Sequence, residues 1–272
     1  MPLLAAVLGD PIEHSLSPIL HDHWLRRHEI KGYYVPIHVE KKNFPSTLES
    51  LHRLGFSGVN VTVPHKQQAL QLADHASETA YRIGAANMLT FTANGIYADN
   101  TDAFGFTWNI IDKLPAWQPS RAAVMGAGGA SRAVLTALID RGVGEIRLAN
   151  RSLARAKLLA DDFGAVVQPV PWADRHDCLE GCDTLVNATS LGMTGKPELD
   201  LHIEALPYDA VVTDLVYTPL DTSLLVAARN RGNPVVDGLG MLLHQGVPAF
   251  ERWFGTKPVV DDELRKEMLK KT

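Results

Sequence analysis

Cysteine is nearly missing from the 272 residues: only Cys178 and Cys182 occur, too few for a disulfide framework. Long uninterrupted apolar runs are missing as well, and no stretch reads as a charged, apolar and small-residue leader. Neither a membrane span nor an export signal is therefore expected, and a cytoplasmic protein is. There is no basic surplus: 26 Lys and Arg stand against 31 Asp and Glu, for a net charge of -5 and a pI near 6.1. That balance argues against a broad nucleic-acid surface, so an anionic ligand has to meet a local cluster of donors. No internal repeat or low-complexity tract divides the chain. The expected partner is a small molecule, with no nucleic acid and no membrane, and the chain is expected to act as a monomer or homodimer.

What is present is apolar material for a substantial core, 46% of the residues, in a chain long enough for one large domain or two ordinary ones. Short β-branched runs recur at Leu4–Leu8, Tyr33–Val39, Val59–Val63, Ala122–Met125, Ile146–Ala149, Val166–Val170, Thr184–Ala188, Val211–Leu215 and Val235–Val236, with helical patterns between them. That rhythm predicts βαβ units and mainly parallel sheets. Between Asn87 and Thr101 it changes: two strand-like runs flank Ala93-Asn94-Gly95, a hairpin signal because Asn and Gly tolerate positive φ. A helix is predicted from Asp102 toward Leu114, where Pro115 and Pro119 deny its continuation, so that a second domain is expected to take up near Ser120. A last amphipathic helix with solvated lysines is predicted over 261–272.

The stretch from Arg121 to Ser131, RAAVMGAGGAS, reads as a strand and a glycine turn, and Arg132–Ile139 continues as a helix. Glycines let backbone approach a pyrophosphate, and a helix N-terminus offers it free N–H groups and positive dipole. Gly126, Ala127, Gly128, Gly129, Ala130 and Ser131 are therefore the expected phosphate site of a dinucleotide. Ser131 stands where the third Gly or Ala of the usual pattern belongs, and a plain tight turn is the alternative. The next strand of an NAD site ends in Asp or Glu. Here it ends Leu148-Ala149-Asn150-Arg151-Ser152. A missing acid, with Arg151 present and Arg155 one helical turn beyond, suits the 2′-phosphate of NADP, which guanidinium groups grip through charge-assisted bidentate contacts. The expected cofactor is NADP, met by Asn150, Arg151, Ser152 and Arg155. The alternative is that Asn150 or Ser152 caps the next helix and both arginines are solvated.

In Gly58–Lys66, GVNVTVPHK, alternation places Val59, Val61 and Val63 on one face and Asn60 and Thr62 on the other, and Pro64 then stops the pairing. Ligands of parallel α/β sheets sit beyond the carboxyl ends of strands, which would bring Lys66 to a cleft. An exposed lysine on a helix's first turn is the other reading. In His14-Ser15-Leu16-Ser17-Pro18 two hydroxyls flank a predicted helix start, where a carboxylate can bind, although Ser17 serves equally as a simple cap. Asp102, where the hairpin ends and a helix begins, is either the acidic partner of Lys66 or again a cap.

Seven stretches, HSLSP, NVTVPHK, IGAAN, NTD, GAGGAS, NATSLGM and DGLGMLLHQG, in this order, resemble the shikimate dehydrogenase family over nearly the whole chain. The resemblance implies reversible NADP-linked reduction of 3-dehydroshikimate to shikimate in aromatic amino-acid biosynthesis, with no metal. It implies a two-domain α/β fold with an amino-terminal substrate domain over 1–102, to which helices of 240–272 return. A Rossmann-type doubly wound nucleotide domain over 103–239 completes it, with a cleft between the two. Ser15 and Ser17 would hold the substrate carboxylate, while Asn60, Thr62, Lys66, Asn87, Asp102 and Gln245 would surround the ring hydroxyls and the reacting carbonyl. Tyr217 would touch substrate, and Thr189, Leu215 and Gly238 would add to the cofactor site. Hydride addition to a ketone leaves negative charge on oxygen; Lys66 would supply the donor there and Asp102 would orient it. Thr218 precedes Pro219 where the family often has Asn, a departure that bears on loop shape.

Other features carry less. His176, Cys178 and Cys182 lie close together but match no zinc spacing and lack a fourth ligand. His65 is assigned no role, and Gly238–Gly240 reads as a hinge. A quinate or dual quinate/shikimate dehydrogenase, with NAD or both cofactors, would share almost every motif. A methyltransferase using S-adenosylmethionine would want an acid near position 150, and a non-catalytic NADP-binding sensor would not need both Lys66 and Asp102.

Overall fold

The run LLAAVLG forms β1 (Leu3–Gly9), apolar at nearly every position and buried from Ala5 onward, as a strand covered on both faces must be. In the computed structural model, which describes residues 2–271, β1 lies between β2 and β3 in the first of two units, 1–102 with 243–271. α1 (Ser17–Arg27) leads to β2 (Gly32–His38), and α2 (Phe44–Arg53) leads to β3 (Gly58–Val61). Both β2 and β3 pair with β1 in parallel. α3 (Lys66–Leu72), β4 (His75–Ala76) and α4 (Glu78–Ile83) follow, then the hairpin of β5 (Met88–Thr92) and β6 (Gly95–Asp99). The positive φ of its turn falls on Gly95, at 102°.

The sheet order is β2-β1-β3-β5-β6-β4. β5 runs antiparallel to β3 and β6, so this sheet is mixed where the alternation predicted mainly parallel pairing. A tight hairpin returns the chain without a crossover helix, which is the physical reason. β3 also stops at Val61, short of the predicted Val63, which is 67% exposed. All four β3 residues are buried, because β3 lies between β1 and β5.

The second unit covers 103–242. It holds α5 (Asp102–Lys113, less its first residue), β7 (Arg121–Met125), α6 (Gly129–Asp140), β8 (Glu145–Asn150), α7 (Leu153–Phe163) and β9 (Val167–Pro171). β10 (Thr184–Asn187), β11 (Val211–Asp214), α8 (Ser223–Arg231) and β12 (Val235–Val236) complete it. Its sheet, in the order β12-β11-β10-β7-β8-β9, is parallel throughout. This is the doubly wound Rossmann order, which reverses between β7 and β10, and a ligand belongs outside the carboxyl ends of the strands at that point. Ala123, Met125, Leu185, Val212 and Leu225 lie in its core.

Along the chain, α9 (Leu239–Phe254) begins in the second unit and ends in the first, and α10 (Asp262–Leu269) follows as the final amphipathic helix. Gly238 and Gly240, read above as a hinge, are also closely packed. A Cβ on Gly238 would stand 2.5 Å from the Leu215 carbonyl oxygen, and one on Gly240 1.8 Å from Asn109 Oδ1. Close packing, not a φ open only to glycine, requires them. Among the described residues no helix is long and apolar enough to cross a membrane.

Candidate active site

In the first unit, Lys66 opens α3, just past the end of β3, and its Nζ donates to Asp102 Oδ2 at 2.6 Å. Asp102 opens α5, where an Asn100 Oδ1 acceptor takes its backbone N–H, so the carboxylate is free of the capping task. Its other oxygen accepts from Asn87 Nδ2 at 2.8 Å. Asn87 is 2% exposed and held from several sides: its Oδ1 accepts the Thr101 N–H at 2.9 Å, and its Nδ2 also faces Thr101 Oγ1 at 3.1 Å and Gln245 Oε1 at 3.4 Å. The Thr101 hydroxyl donates to the Gln245 carbonyl at 2.8 Å, which ties α9 to the start of α5. Lys66, Asn87, Asp102 and Gln245, scattered in sequence, thus form one connected polar group. The Lys66 and Asp102 side chains remain 30% and 15% exposed, so the ammonium is within reach of a ligand.

Thr62 continues beyond β3, half-buried, and its N–H donates to the Leu8 carbonyl. Asn60 is buried rather than open: its Oδ1 accepts from the Tyr34 hydroxyl at 2.7 Å and its Nδ2 donates to the Asn87 carbonyl at 3.1 Å. Tyr34 was not legible as a site neighbour, although it is the one buried position of β2. Burial pushes its phenol well above the usual value, opposed by a hydrogen bond with Ser17. Ser17 is the first residue of α1, not its cap; Leu16 takes the cap position without a side-chain bond, and the Ser17 N–H donates to Ser15 Oγ at 3.3 Å. His65 turns away from Lys66 into the core, stacked on Phe44 with centroids 4.5 Å apart and bonded to the Val39 carbonyl.

In the second unit the glycine turn joins β7 to α6. Gly126 takes φ 105°, and a Cβ there would stand 2.8 Å from Thr189 Cγ2. Cβ atoms on Gly128 or Gly129 would meet nothing within 4 Å, so the helix start is open to an incoming group. The first-turn N–H groups of α6 have no helical acceptor. The Ser131 side chain is wholly buried, donates to the Gly126 carbonyl at 2.8 Å and accepts from the Gly128 N–H at 3.0 Å. The hydroxyl thus braces the turn. Asn150 does likewise, accepting the Ala127 N–H at 3.0 Å and donating to the Ser152 carbonyl. Arg151, Ser152 and Arg155 are exposed, Ser152 makes no side-chain cap bond to α7, and neither arginine forms an ion pair among the described residues. An open helix start flanked by unpaired guanidinium groups fits a phosphorylated dinucleotide.

One further network escaped the motif reading. Asp214, at the end of β11, is 1% exposed and accepts from Asn187 Nδ2, the Val216 N–H and the Thr222 hydroxyl. Burial raises its carboxyl above the ordinary range against those donors. Asn187 Oδ1 in turn accepts from the Thr189 N–H and hydroxyl. The loops carrying Thr189, Leu215 and Tyr217 are therefore anchored on one buried carboxylate. Tyr217 is half-buried, and burial raises its phenol. Thr218, the departure from the family pattern, accepts the Thr194 N–H through its carbonyl, which any residue there could do. The Cys178 and Cys182 thiols donate to backbone carbonyls and are pushed up by burial to about 12 and about 11, while His176 Nδ1 accepts the His202 N–H.

Three family models match the chain: the shikimate dehydrogenase substrate binding domain over residues 7–89, shikimate / quinate 5-dehydrogenase over 110–193, and the shikimate 5′-dehydrogenase C-terminal domain over 238–261. The NADP(+) shikimate dehydrogenase of Dinoroseobacter shibae is 54% identical over 269 residues, 98% of this chain and 97% of that one. Among solved structures, shikimate 5-dehydrogenase from Thermus thermophilus in complex with NADP(H) and shikimate is 36% identical with a TM-score of 0.88, covering 99% of this chain and 100% of that one. Quinate dehydrogenase from Corynebacterium glutamicum in complex with NAD is 32% identical with a TM-score of 0.91, covering 99% of each. With the fold, the glycine turn and the lysine–aspartate pair in place, the chain belongs to the shikimate dehydrogenase family.

Proposed function

We propose that the chain catalyses the reversible NADP-linked reduction of 3-dehydroshikimate to shikimate, with Lys66 as the proton donor. The observation that carries this reading is the 2.6 Å contact of Lys66 with Asp102, itself bonded to Asn87. When bound, the cofactor supplies hydride in one direction and accepts it in the other. The chain's own residues manage the charge and the proton. In reduction the Lys66 ammonium stabilises negative charge growing on the substrate carbonyl oxygen and passes it a proton, leaving a neutral amine. In oxidation that amine takes the hydroxyl proton. Asp102 fixes the direction of Nζ and accepts from an adjacent ring hydroxyl.

Ser15 and Ser17 hold the substrate carboxylate at the start of α1, where the helix dipole favours a negative group. Asn60, Thr62, Asn87, Gln245 and Tyr217 meet the rest of the ring. Gly126–Ala130 with Thr189, Leu215 and Gly238 hold the dinucleotide, and Arg151 and Arg155 grip its 2′-phosphate. The unit of 1–102 with 243–271 is read as the substrate-binding part and that of 103–242 as the nucleotide-binding part.

The test is the initial rate of oxidation of shikimate and of quinate, each with NADP and with NAD, followed by nicotinamide absorbance. Activity mainly with shikimate and NADP is expected. A preference for quinate or for NAD would keep the dehydrogenase and overturn its specificity; the Corynebacterium glutamicum relative is a quinate dehydrogenase in complex with NAD. No turnover with any pair would leave a sensor.

A further inference from the structure

β2 is an edge strand, and Tyr34 is its one buried residue, 3% exposed. Its ring lies flat on His21, with centroids 3.9 Å apart and planes 2° apart. His21 is enclosed in turn by the rings of Trp24, Phe250, Trp253 and Phe254. Burial pushes the His21 imidazole down to about 3, so the ring beneath Tyr34 is neutral. The phenol is thus clamped on an aromatic bed, with its hydroxyl directed at two polar side chains, Ser17 and Asn60. It donates to Asn60 Oδ1 at 2.7 Å. Asn60 Nδ2 meets the Asn87 carbonyl at 3.1 Å.

A primary amide can sit either way round, but its two ends differ: the oxygen only accepts and the nitrogen only donates. The Asn87 carbonyl requires the nitrogen on its side, and the Tyr34 hydroxyl occupies the oxygen on the other. Held at both ends, the amide keeps one N–H without an acceptor among the described residues.

We propose that Tyr34 is a positioning residue for substrate recognition: it pins the Asn60 amide so that a ring oxygen of a hydroxylated cyclic acid meets an N–H donor there and never the amide oxygen. This rests on the shikimate dehydrogenase reading of the site. Tyr34→Phe keeps the ring on His21 and removes only the hydroxyl. The shikimate KM is expected to rise about tenfold, as loss of one orienting hydrogen bond implies, with the NADP KM unchanged and kcat within about threefold. In a Ser17→Ala background, which removes the hydroxyl's other contact, Tyr34→Phe still raises the shikimate KM, and with Asn60→Ala added it has no further effect, because its effect passes through Asn60. Calorimetric titration of the variants with shikimate alone gives the same order.

A Tyr34→Phe protein that melts earlier but keeps the wild-type shikimate KM would make Tyr34 merely structural and overturn the proposal, as would effects of the two substitutions that multiply. Should Tyr34→Phe fail to fold, Asn60→Asp replaces the remaining N–H by an acceptor; an unchanged shikimate KM there overturns the proposal equally. Active wild-type enzyme with unaffected variants sinks the Tyr34 role alone. Wild-type protein that neither binds nor oxidises shikimate sinks the functional reading and this role with it.

Discussion

Lys66 stands at the first position of α3, where the positive end of the helix disfavours a cation, and the carboxylate of Asp102 at 2.6 Å offsets that. An ion pair this accessible contributes only ~0–1 kcal/mol to folding, so its geometry has more to do with chemistry than with stability. Lys66→Ala is therefore expected to lower kcat by at least about a hundredfold while the NADP KM and the melting temperature stay near wild type. Near-normal turnover in that variant would remove Lys66 from the mechanism. Arg151→Ala is expected to raise the NADP KM roughly tenfold or more and leave the NAD KM alone, because a charge-assisted bond to phosphate is worth about 1.5–3 kcal/mol. An unchanged NADP KM would mean a merely solvated arginine. The sequence placed these residues by local signals, a polar residue past a strand end and a base where an acid was due. It could not say that Ser131 and Asn150 turn their side chains onto the glycine loop itself.

Between β11 and α8, Thr222 both caps α8, accepting the Leu225 N–H, and donates to buried Asp214. Thr222→Val removes both bonds and leaves a buried carboxylate oxygen short of a donor. The expected loss is about 2–4 kcal/mol, measured by urea unfolding; a loss below half a kilocalorie would show that the network relaxes freely. At the other end of the chain, α10 is bound to α1 by Glu267, which meets His23 and Arg26, and by Asp261, which meets Arg27. Glu267 is held below the ordinary carboxylate range chiefly by His23, and Asp261 chiefly by the Leu264 N–H that it caps. A carboxylate depressed in the folded state stabilises above its unfolded pKa, about 4, and that stabilisation is lost as pH falls through the lower folded value. Thermal melts should thus lose stability below about pH 4, and Asp261→Asn with Glu267→Gln should flatten that part of the profile. An unaltered profile would place the acid sensitivity elsewhere.

For the molecule as a whole, two separate sheets in two compact units mean that each ligand should leave its mark on a different stretch of the chain. Hydrogen exchange is expected to slow around the glycine turn and β8 with NADP, and around Ser15–Ser17 and Val61–Lys66 with shikimate. Protection of one and the same unit by both ligands would overturn the division of labour proposed above. The alternation of strands and helices was legible because it depends on near neighbours and on a repeat of two or of about 3.6 residues. The mixed order of the first sheet was less so, since pairing depends on which strands later packing brings together.

The sequence by itself determined the chemistry available: a strand, glycine turn and helix in register, arginines in place of an acid, and a lysine just past a buried strand. Those signals lie within a few residues of one another and follow from backbone sterics and helix electrostatics. Only the tertiary structure decided which of them meet. Lys66 and Asp102 are 36 positions apart, and Asn87 and Gln245 are 158 apart, yet each pair lies within 3.4 Å or less. The same holds for the inward turn of His65 and the clasp of Tyr34 on Asn60. Which way a side chain points is set by the atoms that distant elements bring to it, and no local pattern contains them.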